Sequence, residues 1–386
     1  MDYFSAARAL APMVDELRGA FDQDRSLPLS LVDAMGKAGL FGLWQPRALG
    51  GPELAPVSLL KVTEELARQD ASVGWCAVIP AGYSRLAGAM VEEAARTVFG
   101  TGRGVLVGSL NPSGKAIAVT GGYRVTGRWS YGSFIEYSDW VLGNCLTVGD
   151  AGPLQAADGG PAFRLCLFPR KVVEVFDIWH VGGLRATGSN DYAVTDLFVP
   201  EPLSIPFPGF NPPPVQPGPL YNIPLPSTFV SCIAAVMLGI ARGAIEALVQ
   251  IAGSKTTAGA TGPVLRDKPM TQVDLARAEA ILRSGRAFLF DELRTMWDDV
   301  QAGRPISIES RAQVRLAAVH AGQCAIQATD LMYQLAGGAA LFQGSRLERC
   351  LRDIHAAGQH IVMSPQAYLE PIGRVFLGLP PDTTRF

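Results

Sequence analysis

Repeated prolines break both the helical and the strand period over residues 199 to 227, VPEPLSIPFPGFNPPPVQPGPLYNIPLPS, because each proline removes a backbone donor and fixes φ near −65°. The segment separates two sequence textures. Before it, from about 103 to 200, short runs rich in Val, Leu and Tyr are punctuated by glycine, as in GVLVGSL, AIAVTGGYRVTGRWSY, DWVLGNCLTV and FRLCLFP, the pattern of strands joined by turns. After it, four long amphipathic segments at 227–253, 270–302, 307–336 and 346 to about 364 carry a helical period. Residues 1 to about 100 are also helical in pattern, with three- and four-residue apolar spacing in LSLVDAMGKAGLFGLW and VSLLKVTEELARQD, and with Gly39, Gly42, Gly50 and Gly51 marking turns. The expected organisation is an α+β chain: an N-terminal helical domain over 1–102, a β-barrel domain over 103–205, a Pro-rich linker or wrapping arm over 206–226, and a C-terminal four-helix bundle over 227–386.

A chain of 386 residues has enough length for two or three regions around a sizeable core. Its 48% hydrophobic and 18% charged residues, with a formal net charge of −2, provide no basic stripe for nucleic acid. The most membrane-like run, FVSCIAAVMLGIARGAIEALV at 229–249, is interrupted by Arg242 and Glu246 and is expected to be a buried bundle helix, not a span. Six scattered cysteines, Cys76, Cys145, Cys166, Cys232, Cys324 and Cys350, show no metal-type spacing and read as buried thiols of a reducing compartment. The N-terminus lacks the basic and apolar regions of a signal peptide, so the expected location is cytoplasmic.

Several motifs fail on inspection. FGTGRGVLVG has an incomplete glycine pattern that precedes a strand, and GSLNPSGK has five residues between its glycines and then Ala116 where a phosphate loop needs Ser or Thr. No GxSxG elbow is present. His320, in RLAAVHAGQ, reads as a core or interface histidine. On a continuous helix, His355 and His360 stand five residues apart, about 140° around the axis, and cannot form a metal pair. Each must be judged alone, and no metal site is expected.

The order of the three regions resembles the acyl-CoA dehydrogenase architecture, and specific strings carry the likeness: GGYRVTGRWSYGSFIEYSDWVL (121–142), WHVGGLRATGSNDYAVTDLFVP (179–200), YQLAGGAAL (333–341) and LERCLRDIHAAGQHI (347–361). GLRATGSN, RDIHAAGQH and the closing GLPPDTT resemble the flavin-dependent monooxygenase branch, which includes the oxygenase components of p-hydroxyphenylacetate and secosteroid hydroxylases and dibenzothiophene monooxygenase. The resemblance implies a two-component enzyme. A separate NAD(P)H-dependent reductase would supply reduced flavin, with FAD the first choice (as FADH2) and FMN an alternative. The oxygenase would activate O2 as a C4a-hydroperoxyflavin and hydroxylate an aromatic or polycyclic small molecule, as a homotetramer. Two other readings stand beside it: an acyl-CoA dehydrogenase-like enzyme, and a flavin-binding protein without turnover. The first lacks its usual base, because Arg352 and Asp353 are followed by no acid until Glu370.

The same resemblance assigns candidate residues. His360 would face the reactive edge of the flavin and the substrate as a catalytic group, while His355 would be structural. Ser133 would hydrogen-bond flavin N5, Tyr131 would lie where dehydrogenases stack a tryptophan on the ring, Ser109 would be near the flavin or substrate, and Trp179 would close the far side. Gln334, Gly337 and Gly338 resemble the segment that a neighbouring subunit offers to the adenine half of FAD. Tyr83 and Tyr137 align with substrate-side histidines of phenol hydroxylases. Since neither histidine is present, these tyrosines are expected to hydrogen-bond a carbonyl, quinone, indole or amine instead.

Overall fold

The computed structural model describes residues 1–157, 159–256 and 262–381; the closing DTT of GLPPDTT lies outside them. Six helices come first: α1 (Tyr3–Arg8), α2 (Ala11–Asp24), α3 (Leu29–Lys37), α4 (Pro56–Gln69), α5 (Ala71–Tyr83) and α6 (Glu92–Phe99). Their starts follow local chemistry. Asp2 caps α1 by accepting from the Phe4 and Ser5 amides, Asp70 caps α5 by accepting from Ser72, and Pro56 opens α4, where its missing donor is not needed.

The strand-textured region forms one mixed eight-stranded sheet: β1 (Leu106–Val119), β2 (Gly122–Gly132), β3 (Trp140–Gly149), β4 (Gly152–Pro153), β5 (Phe163–Pro169), β6 (Glu174–Phe176), β7 (Asn190–Pro200) and β8 (Ser204–Pro206). Its hydrogen-bonded path runs β6-β7-β2-β1-β3-β5-β8, with β4 paired to β3. β1 and β3 are parallel, and the other ladders are antiparallel.

The proline-rich segment wraps as an arm over the N-terminal helices. Gly88 carbonyl accepts from both the Val215 and Gln216 amides, and Arg85, 3% exposed, donates to the Leu220 and Ile223 carbonyls and to Thr228 Oγ1. A buried guanidinium satisfied by backbone carbonyls is a strong local anchor for a segment that cannot make its own ladder.

The helices that follow are α7 (Leu225–Ser254), α8 (Pro269–Gln301), α9 (Ile308–Ala336), α10 (Arg346–Gly358) and α11 (Pro365–Phe376). The apolar α7 is long enough to cross a membrane but is mostly buried, because α4, α9 and α10 pack around it. At its crossing with α4 a Cβ on Gly239 would lie 2.4 Å from Glu64 carbonyl, so only glycine allows this approach.

One expected element differs. The helix expected over 346–364 closes at Gly358, and His360 is extended at φ −62°, ψ 130°, so His355 and His360 do not share a helix. Pro365 disfavours helical backbone at Ser364. Ser364 accepts from Ala367 to cap α11, and His360 accepts from Val362 to cap a short turn over Ile361–Met363.

Candidate active site

A cavity of about 510 Å³ lies where α5, the ends of β1 and β2, the loop before β7, the start of α7 and the segment after α10 converge. This is within the range of small-molecule sites. Helix α5 contributes Trp75, Ile79 and Tyr83, four residues apart and therefore on one face. The Tyr83 hydroxyl donates to Gly108 carbonyl at 3.1 Å, and burial raises its pKa.

At the end of β2 the pairing with β7 shifts register between Trp129 and Gly132, and Tyr131 and Phe134 take left-handed φ values of 67° and 64°. This irregularity re-aims the chain, as strand irregularities near sites commonly do, and puts both Tyr131 and Ser133 on the cavity wall. Tyr131 stays 69% exposed and meets Trp179 edge-on, with ring centroids 6.2 Å apart. The Trp179 indole N–H donates to Leu184 carbonyl at 3.1 Å. Ser133, 6% exposed, accepts from Trp75 Nε1 at 3.1 Å and shares a 2.7 Å hydrogen bond with Ser189 Oγ.

Two of the strings noted in the sequence meet in space. The GGLRATGS loop (182–189) docks on α10: Asp353 Oδ1 accepts the Leu184 amide at 2.6 Å, and Arg352 donates to Gly182 carbonyl at 2.5 Å. A Cβ on Gly183 would stand 2.2 Å from Arg352 carbonyl. Arg349 then ties Asp353's helix to the N-terminal helices through Asp70 and Asp22, each at 2.9 Å. Burial and the Asp70 carboxylate push the Asp353 carboxyl up to about 7.

His360 stands between Trp75 and Phe229, at centroid separations of 5.8 and 5.7 Å. Phe229 in turn packs against Tyr83 at 6.3 Å, so these aromatic groups form one wall. Burial, and secondarily the Arg315 guanidinium, lower the His360 pKa to about 4, so the ring is neutral at neutral pH. Its Nδ1 accepts the Val362 amide at 3.3 Å. A neutral imidazole that accepts at Nδ1 carries its proton on Nε2, and His360 therefore offers a donor. His355 is elsewhere, with Nε2 2.9 Å from Asp330 at the exposed surface.

Of the residues expected at the site, His360, Ser133, Ser109, Tyr131, Trp179 and Tyr83 line the cavity. Tyr137 does not: its hydroxyl donates to Leu27 carbonyl at 2.5 Å and its ring packs on Phe134, because the turn at Ile135–Tyr137 carries it to the N-terminal helices. Gln334 faces a second cavity of about 520 Å³ along α9, and Gly337 and Gly338 form an exposed turn at that helix's end. Sequence reasoning missed Trp75, Phe229, Thr187, Ser189 and Arg315 as wall residues. Only the Trp75/Ile79/Tyr83 spacing carried a readable signal.

The site fits a flavin ring on its own chemistry. The cavity is walled by aromatic rings, has the hydrogen-bonded Ser133 and Ser189 hydroxyls at its edge, and contains neither Asp nor Glu among its described lining residues.

Comparison with known proteins agrees with this geometry. Residues 5–91 match the acyl-CoA dehydrogenase N-terminal domain, and residues 231–365 match the acyl-CoA dehydrogenase C-terminal domain. The chain is 31% identical over 365 residues to an indole-3-acetate monooxygenase of Pseudomonas putida, covering 94% of this chain and 90% of that protein. It is also 31% identical over 375 residues to the oxygenase component of an FADH(2)-dependent resorcinol hydroxylase of Rhizobium sp., covering 93% and 90%. Its structure matches the crystal structure of a 3-HSA hydroxylase from Rhodococcus sp. RHA1 with a TM-score of 0.91 and 27% identity, over 100% of this chain and 99% of that one. The chain belongs to the acyl-CoA dehydrogenase family, and within it to the flavin-dependent monooxygenase oxygenase components that work with a separate reductase on aromatic substrates.

Proposed function

We propose that this oxygenase hydroxylates a small aromatic molecule that presents a hydrogen-bond acceptor to His360 and an N–H or O–H group to Tyr83. The observation that carries this reading is the fixed hydrogen-bonding sense of the two groups. The Val362 amide holds His360 as an Nε2–H donor, and Gly108 carbonyl takes the Tyr83 hydrogen, leaving the phenol oxygen as an acceptor. Phe229 between them supports the ring of the substrate. Indole, phenol and arylamine skeletons with a nearby carbonyl, carboxylate or hydroxyl oxygen satisfy both groups.

Bound reduced flavin supplies the electrons that activate O2, and FAD is the first choice over FMN. The chain's residues position and protect that chemistry. Trp179 and Tyr131 would flank the bound ring, Ser133 would hold its N5 edge, Ser109 lies at the β1 edge, and Trp75, Phe229 and His360 would exclude water from the reacting edge. His360 orients the substrate oxygen and is a proton donor at Nε2, not a resting base. The absence of a carboxylate from the described cavity wall argues against removal of an α-proton from a thioester.

The remaining features of the reading are an NAD(P)H-dependent reductase, a cytoplasmic location, and a homotetramer in which Gln334, Gly337 and Gly338 reach a neighbour's flavin. A monomeric mass in light scattering would remove that trans role.

The function is tested with a generic flavin reductase and a panel of indoles, phenols and arylamines, each with and without an acceptor oxygen. Acceptor-bearing compounds are expected to give coupled product. His360→Ala should lower product per reduced flavin by about 10²- to 10⁴-fold, the range of general acid–base assistance, and His355→Ala should affect mainly the melting temperature. Equal turnover of compounds without an acceptor, or a functional loss confined to His355→Ala, would overturn the assignment.

A further inference from the structure

Four hydrogen bonds run in series along the cavity edge: Trp75 Nε1 to Ser133 Oγ at 3.1 Å, Ser133 Oγ to Ser189 Oγ at 2.7 Å, Ser189 Oγ to Thr187 Oγ1 at 2.6 Å, and Thr187 Oγ1 to Leu184 carbonyl at 2.8 Å. All three hydroxyl-bearing residues are nearly fully buried. An indole N–H can only donate, a carbonyl can only accept, and each hydroxyl has one hydrogen. One arrangement alone satisfies all four bonds. Ser133 receives from Trp75 and gives its hydrogen to Ser189, Ser189 gives to Thr187, and Thr187 gives to Leu184. The only capacity left on Ser133 is one lone pair.

Given the reading above in which Ser133 contacts flavin N5, we propose that this directed chain makes the site select reduced flavin over oxidised flavin. N5 of reduced flavin bears a hydrogen and can donate to the waiting lone pair. N5 of oxidised flavin bears a lone pair of its own and meets another acceptor. Ser189, Thr187 and Trp75 act as positioning residues by fixing where the Ser133 hydrogen points. The Leu184 carbonyl that ends the chain also accepts from Trp179, and its backbone is held in place by Asp353, so loop docking and hydrogen-bond direction are linked.

Anaerobic titration of the purified full chain with oxidised and with reduced FAD gives the two dissociation constants and their ratio. Ser189→Ala releases the Ser133 hydrogen, and Thr187→Val, nearly isosteric, removes the anchor that orients the chain. Both variants should reduce the preference for reduced flavin by roughly two- to tenfold, the worth of one net hydrogen bond. Thr187→Ser should retain it. The same change should appear in spectroelectrochemistry, because a tenfold loss of preference lowers the potential of the bound two-electron couple by about 30 mV. If Ser133→Ala alters the ratio but Ser189→Ala and Thr187→Val do not, the direction of the chain is irrelevant and the proposal is overturned while the N5 contact stands. If Ser133→Ala leaves both affinities unchanged, the N5 contact itself fails and the proposal falls with it.

Discussion

Asp353, on α10, fastens the loop over residues 182–189 to that helix. Its carboxylate is 3% exposed and accepts the Leu184 amide at 2.6 Å, holding a non-glycine residue at φ 52°. Asp353→Ala strands that buried amide, a loss of about 1 to 3 kcal/mol. The cost should not reach the ~3 to 5 kcal/mol of a broken buried ion pair, because Arg349 keeps Asp70 and Asp22, each at 2.9 Å. Asp353→Asn keeps an acceptor oxygen and removes a carboxyl that burial and Asp70 push up to about 7 from an ordinary 3.8. An acid whose pKa rises on folding binds its proton more tightly in the folded chain, so the wild type loses stability from this group as pH climbs through that window. Urea unfolding followed by tryptophan fluorescence, at about pH 5 and again at about pH 7.5, separates these effects. The advantage of Asn over the wild type should grow from the lower pH to the higher, while Ala should lie about 1 to 3 kcal/mol below Asn at both. If Asn falls as far as Ala, the charge opposite Arg349, not the amide bond, holds the loop, and the reasoning is refuted.

Other perturbations test neighbouring parts of the site. Ser133→Ala removes a contact worth about 0.5 to 1.5 kcal/mol, and a peroxide assay should show roughly two- to tenfold more H2O2 released per product. Gly183→Ala would place a Cβ 2.2 Å from Arg352 carbonyl, whereas nothing lies within 4 Å at Gly182; calorimetry should show a lowered melting temperature for the first variant and little change for Gly182→Ala. Because folding lowers the His360 pKa from 6.5 to about 4, the unfolded chain takes up this proton first, and wild-type stability should fall as pH drops through that interval. In His360→Gln the acid-side slope of the melting temperature should be shallower, and an unchanged slope would show that His360 is not held neutral by the fold.

The order of helical, strand-textured and helical regions was legible because period and proline placement are local properties of a chain. Val, Leu and Tyr runs with glycine turns announce strands wherever they pack, and PVSLLKVTEELARQ announces a buried stripe through its spacing alone. The quoted strings likewise marked the residues that converge, including Ser133, Trp179 and His360. What the one-dimensional pattern could not decide was termination and direction. The helix ends at Gly358, and the chain then turns where the His360 ring accepts the Val362 amide, which alters the orientation argument for His360. Tyr137 looked equivalent to Tyr83, yet one tight turn sends its hydroxyl to Leu27. The chain from Trp75 through Ser133 and Ser189 to Thr187 spans residues over a hundred positions apart. Its hydrogen-bonding sense is fixed only when folding brings an obligate donor to one end and an obligate acceptor to the other, so the site's chemical polarity belongs to the tertiary structure even though every residue in it is written in the sequence.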